Sequence, residues 1–399
     1  MKDCGVSSLI TSKLWSIYRI YTESVCPMAS NKKTVLILVN KQTTIVNFRL
    51  EVVVALVKAG YRVVVSVPDG DRLGEIEAVG AEIIRTPMEK ESTNPIKDIA
   101  LMLKYKKMIK RVKPDLVLTY TIKPNVYGGL AASIKKVPYV ANITGLGTAL
   151  ENKGFMQKIA VRLYKIGFRK INKVFFQNSE NRAFFEEKKI ALGKHSSLPG
   201  SGVNLEKFHV LDFPEDGAIH FAFISRIRKE KGIEQYIDTA RSIKEKYPDA
   251  VFHVCGFGDD YYEERMKTLH NEGVIVYHGL LNDVRVMLKD VHCVIHPTYY
   301  PEGMSNVLLE SAASGRAIIS TDRAGCREAI DDGVNGYIIK QKDSKDLIEK
   351  VEKFLSLSYD EKREMGLRGR EKVEREFDRN IVVKNYLDTA AELTKSKGE

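Results

Sequence analysis

Two carboxylates, Glu302 and Glu310, flank a turn within residues 296–315, HPTYYPEGMSNVLLESAASG. Short apolar runs lie on either side, at residues 292–295 and 317–320. The stretch therefore reads as strand, loop, helix, strand, with Glu302 in the loop and Glu310 on the helix. Gly303 and Ser305 loosen the backbone where the helix begins. The unpaired N–H groups there, together with the positive end of the helix dipole, suit an anion. Two carboxylates around a phosphate-friendly turn suggest paired acid–base work on an anionic ligand.

Two further segments carry the same kind of chemistry. Residues 225–232, SRIRKEKG, follow an apolar run and open a helix, so Arg226 and Lys231 stand where cations could meet a phosphate. Taken alone, that segment reads equally well as a solvated charged loop. Gly256, Phe257, Gly258 and Asp259 follow another apolar run, and turn geometry by itself accounts for the two glycines. Isolated glutamates on helices are usually exposed and idle. All three segments follow strands of one sheet, however, so their loops gather at one edge, and that convergence favours a site.

The elements that must position these residues are legible as a rhythm. Apolar runs at residues 34–39, 61–67, 82–84, 115–120, 139–143 and 173–177 alternate with helical spacings at 48–58, 96–112 and 126–133. Residues 173–177 read as the last strand of that sheet. Residues 198–208, LPGSGVNLEKF, break the periodicity as a linker would. The rhythm restarts with strands at 219–224, 250–255 and 274–277 and a helix at 232–245. This is an α/β chain of two tandem Rossmann-like domains, whose ligands are expected at the carboxyl ends of the strands, in the cleft between the domains. The expected boundaries are an N-terminal extension, 1–30; a first domain, 31–205 with 380–399; and a second, 206–379.

Composition narrows the class. A chain of 399 residues, 44% hydrophobic and 29% charged, can fill two ordinary cores. Five cysteines without a CxxC pair indicate neither a disulfide framework nor a zinc site, and point to reducing cytosol. No apolar run approaches the ~20 residues that span a bilayer, and residues 14–20 are too broken by polar groups for a secretory core. Residues 31–210 hold 31 Lys/Arg against 15 Asp/Glu, although the whole chain is only +11. A basic first half and an acidic second half suggest different partners.

The residues also resemble a known family. Glu302 and Glu310 at this spacing, preceded by His296, Pro297 and Thr298, look like the signature of family-4 retaining glycosyltransferases with the GT-B fold. Arg226 with Lys231 and Gly232, the Gly256–Asp259 turn, His278 to Leu280, and Gly325 to Glu328 with Asp332 to Gly336 are similar to that family as well. Over the first half, residues 45–49, 121–125 and 144–147 point to the branch that builds capsular, exopolysaccharide and lipid-linked glycans.

The resemblance implies roles. A nucleotide-sugar donor, most often UDP-linked in this branch, would lie on the second domain, with no separate cofactor and no metal. Arg226 and Lys231 would hold its diphosphate, Glu310 the ribose hydroxyls and Glu302 the donor sugar. Backbone N–H groups from Gly303 through Met304 and Ser305 to Asn306 would reach sugar or phosphate, with Gly256 nearby, and the base would sit by Leu280 and Leu281. Asn47, Tyr120, Thr144 and Gly145 would line the acceptor side. Residues 41–44 lack the glycine-rich loop of many relatives, and no histidine precedes His195. Front-side attack, with the departing phosphate taking the acceptor proton, is the mechanism those departures suggest. Asp69, Gly70 and Asp71 read as a turn rather than a metal motif.

Residues 153–173 carry seven Lys/Arg and no acid, interleaved with apolar side chains. With a second basic run at 104–111 they suit an anionic membrane surface at its cytoplasmic face, where a lipid-linked or oligosaccharide acceptor would be met. The competing reading is a helix that packs one stripe on the sheet and solvates its rim. A nicotinamide dehydrogenase is disfavoured by the missing Gly-x-Gly-x-x-Gly after the first strand, and a nucleic-acid binder by the absence of any RNA or helix-turn-helix pattern. A sugar-nucleotide epimerase of the same fold, or a non-catalytic basic membrane-associated binding protein, stands as the alternative.

Overall fold

The computed structural model describes residues 32–88, 94–147, 150 and 154–395; the expected extension, 1–30, lies outside them. Seven parallel strands form the first sheet: β1 (Thr34–Leu38), β2 (Arg62–Val67), β3 (Glu82–Arg85), β4 (Leu116–Tyr120), β5 (Tyr139–Ile143), β6 (Lys173–Phe176) and β7 (His195–Ser197). Their order is β3-β2-β1-β4-β5-β6-β7. The second sheet is built from β8 (His220–Ile224), β9 (Val251–Cys255), β10 (Val276–Gly279), β11 (Cys293–His296), β12 (Ala317–Thr321) and β13 (Gly336–Ile339), again all parallel, in the order β10-β9-β8-β11-β12-β13. In each sheet the order reverses once, between β1 and β4 and between β8 and β11. Those two points open the crevices in which ligands of such sheets bind.

The central strands are mainly apolar because helices cover both faces. In β1, Val35 and Ile37 enter one core with Val53 and Leu56, while Leu36 and Leu38 enter the other with Tyr105 and Ile109. Two strands were not expected. β7 is a three-residue edge strand of His and Ser, without an apolar run to announce it, so β6 is not the last strand of the first sheet. β13 begins at Gly336, whose lack of a side chain lets it lie against the Ile318 carbonyl.

The chain crosses between the sheets twice. Residues 198–208 lead out, and the helix Arg379–Thr394 returns to pack Val382, Tyr386 and Ala390 into the core of the first sheet. The crossings are tied together. Val203 and Asp378 form an isolated bridge, and Glu51 accepts from Arg379 Nη1 (2.7 Å) and Asn204 Nδ2 (3.1 Å).

Candidate functional site

At the carboxyl edge of the second sheet, the loops after β8 and β11 meet across the reversal point. Lys231 ends the short 3-10 turn Lys229–Lys231 and is only 7% exposed. Its Nζ pairs with Glu302 Oε1 and lies 4.8 Å from the centre of the Tyr300 ring. Gly232 follows in the left-handed region at φ 80°, and a Cβ there would overlap the Pro297 carbonyl, with Pro297 C at 2.6 Å. Glycine is therefore what lets the helix Ile233–Lys246 start close enough to β11 for Lys231 to reach Glu302. Arg226 stands exposed one turn earlier, with no ion pair among the described residues. Beneath the pair, His296 is buried with no hydrogen-bond partner for either ring nitrogen. Burial, and secondarily the Lys231 cation, holds it far below the usual histidine range, so it is neutral.

The turn between the two glutamates is less open than its sequence suggests. The Ser305 N–H donates to the Gly325 carbonyl (2.7 Å), so it is not available to a phosphate. Met304 is buried beside Gly200, and Asn306 begins the helix Asn306–Ala313 with Oδ1 buried and unpartnered. Gly256 is likewise committed. Its N–H donates to Gly279 (2.8 Å), its carbonyl accepts from Tyr277 Oη (3.2 Å), and the Ser225 carbonyl fills the space a side chain would need. At the end of β10, Leu280 is 66% exposed, whereas Leu281 packs into the core.

The carboxyl edge of the first sheet faces this loop directly. The Thr144 carbonyl and Gln177 Oε1 lie against Gly303, and the space beside Gly145 is bounded by the Pro301 carbonyl (3.2 Å) and the Gly303 nitrogen (3.4 Å). Tyr120 does not line this gap. It is 1% exposed, with its hydroxyl buried and unpartnered, and its ring centre lies 5.5 Å from the Arg49 guanidinium and 6.1 Å from the Tyr386 ring. A strand-end tyrosine can point to either face, and here the face is the one covered by the returning helix. Asn47 is exposed and its Oδ1 accepts from Arg72 (2.7 Å). Asp69 pairs with Arg85 (3.2 Å) and Asp71 accepts from Gln42, which fits the turn reading. Thr121, within the 121–125 run noted in the sequence, is a β-branched residue at φ 68° with a buried, unpartnered hydroxyl, at the end of β4 beside the reversal point. Such strain gathers at functional sites. The sequence reading missed Gln177 and Asn178, although an Asn-Ser pair after a strand is a helix-start signal.

Glu310 completes the second-sheet edge. Its carboxylate has no hydrogen bond or ion pair among the described residues, and burial pushes it up to about 7, opposed by Lys207 and Arg379. Two outcomes follow. A ligand bound through the ionised carboxylate should be held up to about tenfold more weakly at pH 6 than at pH 8, and Glu310→Gln should abolish that dependence; titration calorimetry reads both. The native carboxyl also keeps its proton above the unfolded value of 4.5. Stability therefore falls as pH rises through about 7, and Glu310→Gln should raise the thermal midpoint at pH 8 but hardly at pH 5.

The comparisons with known proteins agree with this layout. Residues 206–372 match the family model described as Glycosyl transferases group 1, and residues 34–178 match Glycosyl transferase 4-like. The chain is 27% identical over 362 residues to the N,N'-diacetylbacillosaminyl-diphospho-undecaprenol alpha-1,3-N-acetylgalactosaminyltransferase of Campylobacter jejuni, covering 86% of this chain and 94% of that protein. It is 27% identical over 347 residues to the capsular polysaccharide biosynthesis glycosyltransferase CapM of Staphylococcus aureus, covering 79% and 85%. Among solved structures, a glycosyltransferase from Rickettsia africae superposes with a TM-score of 0.77 at 19% identity, covering 92% of this chain and all of that one. HepE of Anabaena, in complex with UDP and glucose, gives 0.75 at 16%, covering 90% of this chain and all of that one. At those identities the structural likeness speaks to the fold.

Proposed function

The chain belongs to the GT-B glycosyltransferases of the family-4 type, and from that premise we propose that it transfers a sugar from a nucleotide-sugar to a hydroxyl of a glycan acceptor in capsular or lipid-linked glycan assembly. The observation that carries this reading is the Lys231–Glu302 pair at the reversal point, with the uncommitted Glu310 on the helix that follows the same loop. The donor is a UDP-linked hexose or N-acetylhexosamine and the acceptor a lipid-diphosphate-linked glycan. HepE is solved with UDP, and the Campylobacter relative is named for transfer of N-acetylgalactosamine to a diphospho-undecaprenol glycan.

Each residue then has a task. Glu310 accepts from the ribose hydroxyls. Glu302 orients the donor sugar, and Lys231 with Arg226 neutralises the diphosphate. As the bond between anomeric carbon and phosphate oxygen breaks, the nucleoside diphosphate leaves with the electron pair. Countercharge placed where that charge develops is the main electrostatic source of rate. The acceptor hydroxyl attacks from the same face and gives its proton to the departing phosphate oxygen, so the anomeric configuration is retained. Arg226 and Lys231 supply the countercharge that a metal supplies in other sugar transferases.

A hydrolysis screen of UDP- and GDP-sugars, with Glu310→Gln as control, tests the donor assignment. Release of nucleoside diphosphate from one sugar class, weakened in the control, is expected. Product NMR showing an inverted anomer would remove the front-side mechanism.

We also place the first sheet on an anionic membrane. The helix Phe155–Gly167 buries Tyr164 but exposes Phe155 (76%), Met156 and Ile159 beside Lys158, Arg162 and Lys165. The helix Pro95–Val112 exposes Ile96 (78%), Ile99 and Leu103 near Lys104 and Lys107. Each helix follows a strand of the first sheet, β3 or β5, and so starts on the side of its carboxyl edge. At the far end of the basic stretch Lys173 lies in β6 and pairs with Glu392 (3.0 Å), and Lys153 lies outside the described residues. No helix among the described residues is long and apolar enough to cross a membrane. Neutralising Lys158, Arg162, Lys165 and Arg169 should lower binding to anionic vesicles by about 10²–10³-fold, at about 1 kcal/mol per charge. Unchanged sedimentation with vesicles would refute the placement.

A further inference from the structure

Asn178 follows β6 at the carboxyl edge of the first sheet and is 8% exposed. Its carboxamide is divided between the two sheets. Oδ1 accepts from Asn181 N (2.8 Å) and caps the helix Ser179–Glu187. Nδ2 donates to the Gly303 carbonyl (2.7 Å) and the Glu302 carbonyl (3.1 Å), the two carbonyls of the loop whose side chain meets Lys231. Capping uses only the side-chain oxygen. It therefore does not account for a nitrogen aimed across the cleft at two carbonyls.

The neighbours of Asn178 reinforce the crossing. Gln177 Nε2 donates to Asn142 Oδ1 (3.1 Å), and Asn142 Nδ2 donates to Tyr386 Oη (2.8 Å) on the returning helix. That chain turns Gln177 Oε1 towards Gly303, 2.5 Å from where a Cβ would stand. On the outer side Arg327 Nη2 donates to Glu180 Oε1 (2.6 Å), joining the two edges a second time.

We propose that Asn178 is the positioning residue of the sugar-side loop: its amide nitrogen fixes the Glu302 and Gly303 peptides, and through them the Glu302 carboxylate beside Lys231, only when the two sheet edges are together. The proposal rests on the glycosyltransferase reading. Donor held by the second sheet alone would then lack a correctly set Glu302 until the first sheet arrives. Coupling of closure to completion of a site is a recognised route to commitment of the right substrates.

Asn178→Asp tests this, because aspartate caps a helix as well as asparagine but turns an oxygen, not an N–H, towards the two carbonyls. Asn178→Ser keeps a cap and lacks the reach. In both variants kcat for sugar transfer should fall at least about thirtyfold while KM for the donor changes less than about threefold, since the donor groups lie on the second sheet. Amide exchange across residues 299–305 should speed up at least about tenfold, with exchange in β8 and β11 unaltered. Unchanged exchange at 299–305 in both variants, or a loss confined to KM, would overturn the proposal. Should the wild type transfer no sugar, the glycosyltransferase reading fails, and the exchange comparison still decides whether Asn178 holds the loop.

Discussion

Lys231→Ala is expected to lower kcat/KM by about 10²–10³, the range found when one donor to a developing oxyanion is removed. Several features make Lys231 the residue with the largest catalytic effect. It is buried, its ammonium faces Glu302 and the Tyr300 ring, and Gly232 and Pro297 fix the backbone on which it stands. Removal also leaves Glu302 without its cation, and breaking a close pair on one side is costlier than losing the pair. Glu302 is not sealed in, with a side-chain exposure of 20%, so its carboxylate can turn to water and the fold should survive. Lys231→Arg should rescue little, since a planar guanidinium does not replace a compact ammonium in a closed slot. Steady-state kinetics with circular dichroism as a folding control reads the effect; a loss below about threefold would mean that the diphosphate is held elsewhere.

Gly232→Ala should destabilise the fold strongly. Its φ of 80° is strained for any side chain, and the added carbon would overlap the Pro297 carbonyl, which is held in place by β11. Strain of that kind with a backbone clash is expected to cost about 3 kcal/mol or more, or about 6–12 °C in the thermal midpoint of a unit this size. Gly273→Ala is the matched control. Its φ is 72°, yet nothing lies within 4 Å of the added carbon, so only the backbone term of about 1 kcal/mol applies. Equal midpoints for the two variants would show that the close approach to Pro297 is not what Gly232 is for.

The sequence makes the architecture legible because both sheets are parallel and covered. Their central strands are largely apolar runs, and such runs are easy to bound. β7 escapes this reading because an edge strand of His and Ser needs no apolar face. The placement of Lys231 and Glu302 on neighbouring loops follows from strand order alone, once the runs before them are recognised as strands of one sheet.

Other features of the site depend on partners distant in sequence. Ser305 N–H is taken by Gly325, and Tyr120 is turned inward by Tyr386 of the returning helix. The asparagine that spans the cleft is chemically ordinary until the second sheet is brought against it. The first impression of two glutamates arranged for acid–base work also changes. Glu302 is paired with a cation, and Glu310 is an uncommitted carboxylate on the helix beyond.

The most direct test of sugar transfer at this cleft is to incubate the protein with the donor selected by the hydrolysis screen and a lipid-diphosphate-linked glycan. Nucleoside diphosphate and glycosylated acceptor are then quantified together. One glycosylated acceptor for each nucleoside diphosphate released, with the donor's anomeric configuration kept, is the result expected here. Conversion of the nucleotide-sugar into an isomer without acceptor glycosylation, or tight donor binding without turnover, would contradict it.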